Sequence, residues 1–140
     1  MTERRRLRVY VAGPISSDPF HGVFRGLEMG RQMFLDGLAP FVPHTDAFFF
    51  LPDGNWNAYL EYDLEYILTT EAVFRLRGES KGADLEVEHA KANGIPVFYE
   101  ADLAGLGEGG YAALLRYAEG LGLRGIRQGK HGPVEVTASA

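Results

Sequence analysis

The sequence of 140 residues contains no cysteine. This absence excludes a disulfide-bonded scaffold, zinc bound by cysteine, iron–sulfur clusters and thiol nucleophiles. Basic residues are in the minority, with 14 Lys and Arg against 19 Asp and Glu and a net charge of -5 at pH 7. This balance argues against a general nucleic-acid-binding protein, because such proteins are usually basic.

Long apolar runs are missing as well. No stretch of the sequence approaches the roughly 18 consecutive apolar residues of a membrane span. The basic N-terminus leads into an apolar stretch, 9–12, which is shorter than the about 7–15 residues of a signal-peptide core and ends at Gly13-Pro14. These features predict a cytoplasmic protein that does not bind a membrane.

Short apolar runs alternate with segments of helical periodicity along most of the chain. The predicted strands cover 7–12, 39–42, 72–76 and 95–99, and the predicted helices cover 20–37, 56–68, 81–93 and 111–121. This alternation is typical of βαβ units around a parallel sheet. It predicts one domain over 1–121, followed by a Gly-rich, basic tail over 122–140 that is either a loose end or a partner-binding arm.

The loops after the first three predicted strands are the candidate ligand sites, because open α/β sheets bind ligands outside the carboxyl ends of their strands. These loops contain Gly13 and Ser16, then His44, then Ser80 and Gly82. Glycine and serine in the first and third loops are typical of a phosphate or sugar site. A Ser80 hydroxyl is also the expected N-cap of the helix that follows.

Several other residues have both a functional and a structural interpretation. His44 and Asp46 are possible metal ligands, but the remaining histidines show no ligand spacing with them, so no metal site is predicted. Trp56 and the phenylalanines at 48–50 either stack on a nucleobase or fill the core. Tyr10 either places its hydroxyl in a cleft or packs.

Asp63 is a carboxylate within an apolar helix face. It lies three residues after Leu60 and four before Ile67, which places it on the same face as both. Burial raises the pKa of an unpaired carboxyl group, which suits a general acid. The alternative is a structural carboxylate that caps a loop or pairs with an arginine.

Glu86 borders the apolar stripe of the predicted helix 81–93, one turn beyond the Ser80 N-cap. Backbone N–H groups at such a helix start can hold an anion. Two inward carboxylates, Asp63 and Glu86, suggest glycosidic-bond chemistry. The alternative is a surface glutamate that is favoured near a helix N-terminus by the helix dipole.

Three segments in order carry a family resemblance: RVYVAGPIS at 8–16, WNAYLEYDLEYILTTEAVFRL at 56–76 and SKGADLEVEHAKANGIPVFY at 80–99. Together they resemble the nucleoside 2-deoxyribosyltransferase-like superfamily, and in particular an uncharacterised bacterial and phage branch related to nucleoside 5′-monophosphate N-glycosidases. The resemblance implies a flavodoxin-like or Rossmann-like three-layer α/β sandwich with a parallel sheet of four to five strands.

The resemblance also implies a division of roles for cleavage of an N-glycosidic bond without metal or cofactor. By position, Glu86 is the residue that attacks the anomeric carbon. Asp63 works near the base and its leaving nitrogen, and Tyr10 supports the nucleophile. Ser80 binds a 5′-phosphate, with Gly82 permitting close approach. Homodimers or larger homo-oligomers are implied too, with the Phe-rich loop and the tail as candidate contacts.

The leading hypothesis is hydrolysis or base exchange of a nucleoside or nucleoside 5′-monophosphate. Gly13, Ser16, His44 and Trp56 are predicted to complete the substrate site. The alternative is a nucleotide-binding module without catalysis, since one fold hosts many functions. A third possibility is an assembly protein in which the Phe-rich loop forms an interface.

Overall fold

The computed structural model describes residues 4–14, 19–46, 56–100 and 110–123. These ranges contain four strands and four α-helices in alternation. In chain order they are β1 (Arg8–Ala12), α1 (Pro19–Leu35), β2 (Ala39–Phe41), α2 (Trp56–Ile67), β3 (Ala72–Arg75), α3 (Lys81–Ala92), β4 (Val97–Tyr99) and α4 (Gly110–Gly120). No helix within the described ranges has the length and hydrophobicity needed to cross a bilayer.

The predicted alternation of strands and helices is therefore confirmed. One local prediction is wrong, because Pro43–Asp46 forms a short 3-10 helix where a loop was expected. The rest of that loop, 47–55, lies outside the described residues, as does most of the predicted tail, 124–140.

The four strands form one parallel sheet in the order β2-β1-β3-β4. In β1, Tyr10 is aligned with Phe41 of β2 on one side and with Val73 of β3 on the other. The chain first moves from β1 to one edge and then returns past it to β3, so the strand order reverses between β1 and β3. In open α/β sheets such a switch point forms a crevice at the carboxyl ends of the strands, where ligands bind.

The two faces of the sheet are covered by different helices. α1 and α4 pack on the face that presents Val9 and Val11, and α2 and α3 pack on the face that presents Tyr10 and Ala12. This follows from the period of two in a strand, which sends successive side chains to opposite faces. The result is a three-layer α/β sandwich of the flavodoxin-like type.

The face of helix α1 that packs on the protein carries glycines. A Cβ atom at Gly26 would lie 2.5 Å from Cγ of His44, and one at Gly30 would lie 2.6 Å from a methyl group of Val42. Both distances are shorter than any real carbon–carbon contact, so the helix can sit this close only with glycine at these positions. The close approach fixes the rotation of α1 about its own axis.

A partly buried polar contact connects α4 to the residue that follows α1. The Tyr111 hydroxyl donates a 2.5 Å hydrogen bond to Oδ2 of Asp36, which also accepts one from Gln32 at 3.0 Å. Burial, and the hydrogen bond to Asp36, raise the pKa of Tyr111 well above its usual range. The hydroxyl therefore remains a donor at any physiological pH.

Tyr111→Phe is expected to lower the free energy of unfolding by about 2 kcal/mol, because a hydrogen bond to a charged group is lost and Asp36 keeps its burial. Urea unfolding monitored by circular dichroism measures this loss. Tyr117→Phe is the matched control, since the Tyr117 ring packs on Phe98 and its hydroxyl makes no hydrogen bond within the described residues. Equal losses in both variants would contradict the assigned contact.

Candidate active site

A tyrosine and a glutamate make contact between the sheet and the α2/α3 layer. The Tyr10 hydroxyl donates a 2.6 Å hydrogen bond to Oε2 of Glu86. Tyr10 is fully buried, and only 6% of Glu86 is exposed to solvent. Because burying a carboxylate is costly unless hydrogen bonds compensate, this contact holds the glutamate in one orientation.

Glu86 reaches this layer because of the start and periodicity of α3. The helix buries Ala83, Val87 and Ala90, and Glu86 falls on the same face. Glu88, on the other side of the helix, is exposed. The predicted position of Glu86 at the edge of an apolar stripe is thus confirmed, and it lies deeper than the spacing alone indicates.

A second carboxylate lies on the neighbouring helix of the same layer. Asp63 of α2 is 8% exposed, whereas Glu61 and Glu65 of that helix point to solvent. Helix α2 packs directly against α3. We call Tyr10, Asp63 and Glu86 the acidic site, because Tyr10 contacts Glu86 and Asp63 is buried on the helix that packs against α3.

The start of α3 is capped as the sequence predicts. The Ser80 Oγ atom accepts a 3.1 Å hydrogen bond from the backbone N–H of Ala83, and the Ser80 backbone is extended, as is usual for an N-cap. The nearest atom to a Cβ at Gly82 would be Ser80 Oγ, at 4.0 Å. The space beside this hydroxyl is therefore open, and its proton can still be donated to another acceptor.

The sequence-family model of DUF4406, a domain of unknown function, matches residues 7–99. The chain belongs to the DUF4406 family. No curated protein matches it.

The DUF4406 match runs from the residue before β1 to the last residue of β4. It therefore includes the whole described sheet, helices α1 to α3 and all three residues of the acidic site. Helix α4 lies wholly beyond the matched range, so the Tyr111–Asp36 contact joins a residue outside that range to one within it.

The loops after β1 and β3 touch at the switch point of this DUF4406 domain. A Cβ at Gly13 would lie 2.9 Å from the Leu76 side chain, so the backbone after β1 leaves no room for one. Gly78 has a φ of +114°, and a Cβ there would lie 2.9 Å from Pro14. Both glycines thus let the loops close on each other beside the start of α3.

His44 lies on the opposite side of the sheet, beneath α1. It is fully buried, and neither ring nitrogen has a hydrogen-bond partner in the described part of the chain. Burial, together with the positive charge of Arg25, lowers the pKa of His44 to about 4. The ring is therefore neutral at physiological pH, and its role in substrate binding stays a prediction.

Two other predicted binding residues, Ser16 and Trp56, fall wholly or partly outside the described part of the chain. Ser16 lies outside the described residues, and so do the phenylalanines at 48–50. Trp56 begins α2, but its side chain is outside the described part. Among the residues that the structure describes, no group of three or more His, Cys, Asp or Glu side chains is arranged to hold a metal ion.

Sequence reasoning missed a buried arginine at the end of β3. Arg75 is 9% exposed, and its guanidinium donates to the carbonyl of Leu76, to that of Gly78 at 2.9 Å and to Asp84 of α3 at 3.1 Å. Through these hydrogen bonds, Arg75 connects the loop before α3 to the helix itself. The available signal was a charged residue inside an otherwise apolar strand.

An aromatic stack beside the acidic site was missed too. The Tyr10 ring stacks on Phe41 at a centroid distance of 5.6 Å, and Phe41 stacks on Tyr66 at 4.7 Å. The stack holds the Tyr10 ring in place. No spacing rule relates these residues, because they come from two strands and a helix.

Proposed function

We propose that this protein cleaves the N-glycosidic bond of a nucleoside or nucleoside 5′-monophosphate, by hydrolysis or base exchange, through a glycosyl-enzyme on Glu86. The observation that carries the proposal is the 2.6 Å hydrogen bond that holds the buried Glu86 carboxylate to Tyr10. The sequence resemblance to nucleoside 2-deoxyribosyltransferase-like proteins supports the same roles.

The proposed reaction has two steps. In the first, a Glu86 oxygen attacks the anomeric carbon of the sugar, the bond from that carbon to the base nitrogen breaks, and the electron pair leaves with the base. In the second, water or a second base attacks the same carbon and releases the glutamate. Such a double displacement retains the configuration of the sugar carbon.

Tyr10 acts as a positioning residue in this scheme. Its hydroxyl holds one carboxylate oxygen of Glu86, and the ring itself is held by the stack on Phe41. A carboxylate with a fixed orientation loses less freedom when it enters the transition state, and this fixed geometry is a large part of enzymatic rate enhancement.

Asp63 is the proposed proton donor for the departing base. Its position on a helix that packs against α3 puts a second carboxyl group in the same layer as Glu86. A base leaves more easily when its nitrogen is protonated, since the neutral base is a much better leaving group than its anion. Asp63 gives one proton to the departing base in the first step. In the second step it regains a proton from the attacking water or the incoming base.

The start of α3 is the proposed site for a 5′-phosphate. The Ser80 hydroxyl and the first backbone N–H groups of the helix are suitable donors for an anion. Gly82 leaves the space beside Ser80 open. Nucleoside 5′-monophosphates are therefore expected to react faster than the matching nucleosides.

The direct test is incubation of the full-length protein with a panel of ribo- and 2′-deoxyribonucleosides and their 5′-monophosphates, with free base measured by chromatography. Release of base from at least one compound supports the proposal. Binding of a nucleotide in calorimetry without base release, with or without an acceptor base, contradicts it and favours the non-catalytic binding module.

A further inference from the structure

Three large apolar side chains of helix α1 face away from the core. Phe24 is 54% exposed, Leu27 42% and Phe34 57%. The inward face of the helix carries Gly26 and Gly30, which leave no room for a side chain, and the fully buried Met33. In an ordinary amphipathic helix the outward face is polar, so three large apolar residues on this face are unusual.

The exposed residues form one continuous stripe. Phe24, Leu27, Arg31 and Phe34 are spaced by three, four and three residues, which is the seam spacing of a helix that pairs with another helix. We call these four residues the α1 stripe. Three of the four are large apolar residues, and exposed apolar surface on this scale usually marks an interaction site.

The stripe is already ordered at one end. The Arg6 guanidinium lies over the Phe34 ring, 4.5 Å from its centre, and Arg6 donates hydrogen bonds to the carbonyls of Phe34 and Leu38 at 3.0 and 2.7 Å. An aromatic side chain that is held in place before binding loses little freedom on binding. Such rigid aromatic residues are the usual energetic centres of protein interfaces.

We propose that the α1 stripe binds the α1 stripe of a second copy of this chain, with the two helices antiparallel. In a two-fold arrangement centred near Met29, Phe24 of each copy lies opposite Phe34 of the other, and Leu27 lies opposite Arg31. The stripe is therefore complementary to itself, which is the requirement for a symmetric dimer.

Charge complementarity supports a second copy over an unrelated partner. Glu28 and Arg31 are both exposed, and Glu28 lies beside the stripe, three residues before Arg31. In the antiparallel pair, Glu28 of each copy lies beside Arg31 of the other, so two equivalent ion pairs flank the apolar contact. Parallel pairing would instead set Arg31 against Arg31, with like charges facing each other.

The test is sedimentation equilibrium of the full-length protein over a wide concentration range. It compares the wild type with variants in which the charges at Glu28 and Arg31 are reversed singly and together. Because a single helix stripe is smaller than a standard interface, the wild-type dimer is expected to dissociate in about the micromolar range. Glu28→Arg and Arg31→Glu should each raise the dissociation constant about tenfold or more, and the double variant should restore it.

Further variants separate this contact from general stickiness. Phe24→Asp should leave only monomer, whereas Leu85→Ser, which removes another exposed apolar residue on α3, should leave the dissociation constant unchanged. Circular dichroism confirms that each variant keeps its fold. A monomeric wild type, a dimer that survives Phe24→Asp, or a double exchange that fails to restore dimerisation would overturn the proposal.

Discussion

Glu86→Gln is expected to lower the rate of base release by about 10³-fold or more, since loss of the nucleophile in a double-displacement enzyme removes the whole covalent route. The amide keeps the size of the side chain, and its carbonyl can still accept the hydrogen bond from Tyr10, so the fold should survive. The measurement is the initial rate on the best substrate of the panel.

Glu88→Gln is the matched control, because Glu88 has the same chemistry on the exposed side of the same helix. Its rate should remain within about twofold of the wild type, as is usual for surface changes remote from a site. Intact-mass spectrometry of quenched reactions adds a second readout. The wild type should carry a sugar adduct that Glu86→Gln lacks, and equal rates for Glu86→Gln and the wild type would refute the assigned nucleophile.

Much of the fold was predictable from local patterns. The apolar runs of β1 and β3 are short, bounded by polar or glycine residues and fully buried, so strand content and parallel pairing followed directly. Ser80 was recognisable as an N-cap because hydroxyl residues satisfy the free N–H groups of a helix start. These features depend on neighbours in sequence.

The orientation of α1 was not predictable in the same way. The helical spacing of Phe20, Phe24, Leu27 and Phe34 in the sequence predicts a helix, which the structure confirms, but such a stripe ordinarily marks the buried face. Here the close approach of Gly26 to His44 determines which face is buried. That contact depends on where the chain places β2 and the short helix after it, which no local pattern encodes.

In the acidic site, too, some features were predictable from local patterns and others depend on tertiary packing. Helical periodicity placed Asp63 and Glu86 on inward faces, and both are buried. The hydrogen bond between Tyr10 and Glu86 joins residues 76 positions apart. Its geometry depends on the packing of α3 on β1, so periodicity alone could not predict it.

The free energy of unfolding is expected to decrease as the pH falls from about 6.5 to about 4, owing to His44. In the folded protein the buried imidazole stays neutral through this range, because burial lowers its pKa to about 4. In the unfolded chain the same group takes up a proton near pH 6.5. Protonation therefore favours the unfolded chain, by about 3 kcal/mol at most.

The contribution of His44 to stability depends on pH in a range distinct from that of Glu71. It is fully present above pH 6.5 and lost by about pH 4. Glu71 affects stability at lower pH, because its hydrogen bond with Arg5 lowers the pKa of the carboxyl group from 4.5 to about 2. The stability that Glu71 gives is present above pH 4.5 and is lost only as the pH falls toward 2.

Urea unfolding across the range from neutral pH to about pH 4 isolates the histidine term. His44→Leu replaces the buried ring with an apolar side chain that cannot titrate, so the decrease between pH 6.5 and 4 should become much smaller. His21→Gln, a change at an exposed histidine of the same sheet face, should keep the wild-type pH dependence. Identical pH dependence in His44→Leu and the wild type would show that the buried ring does not control acid stability.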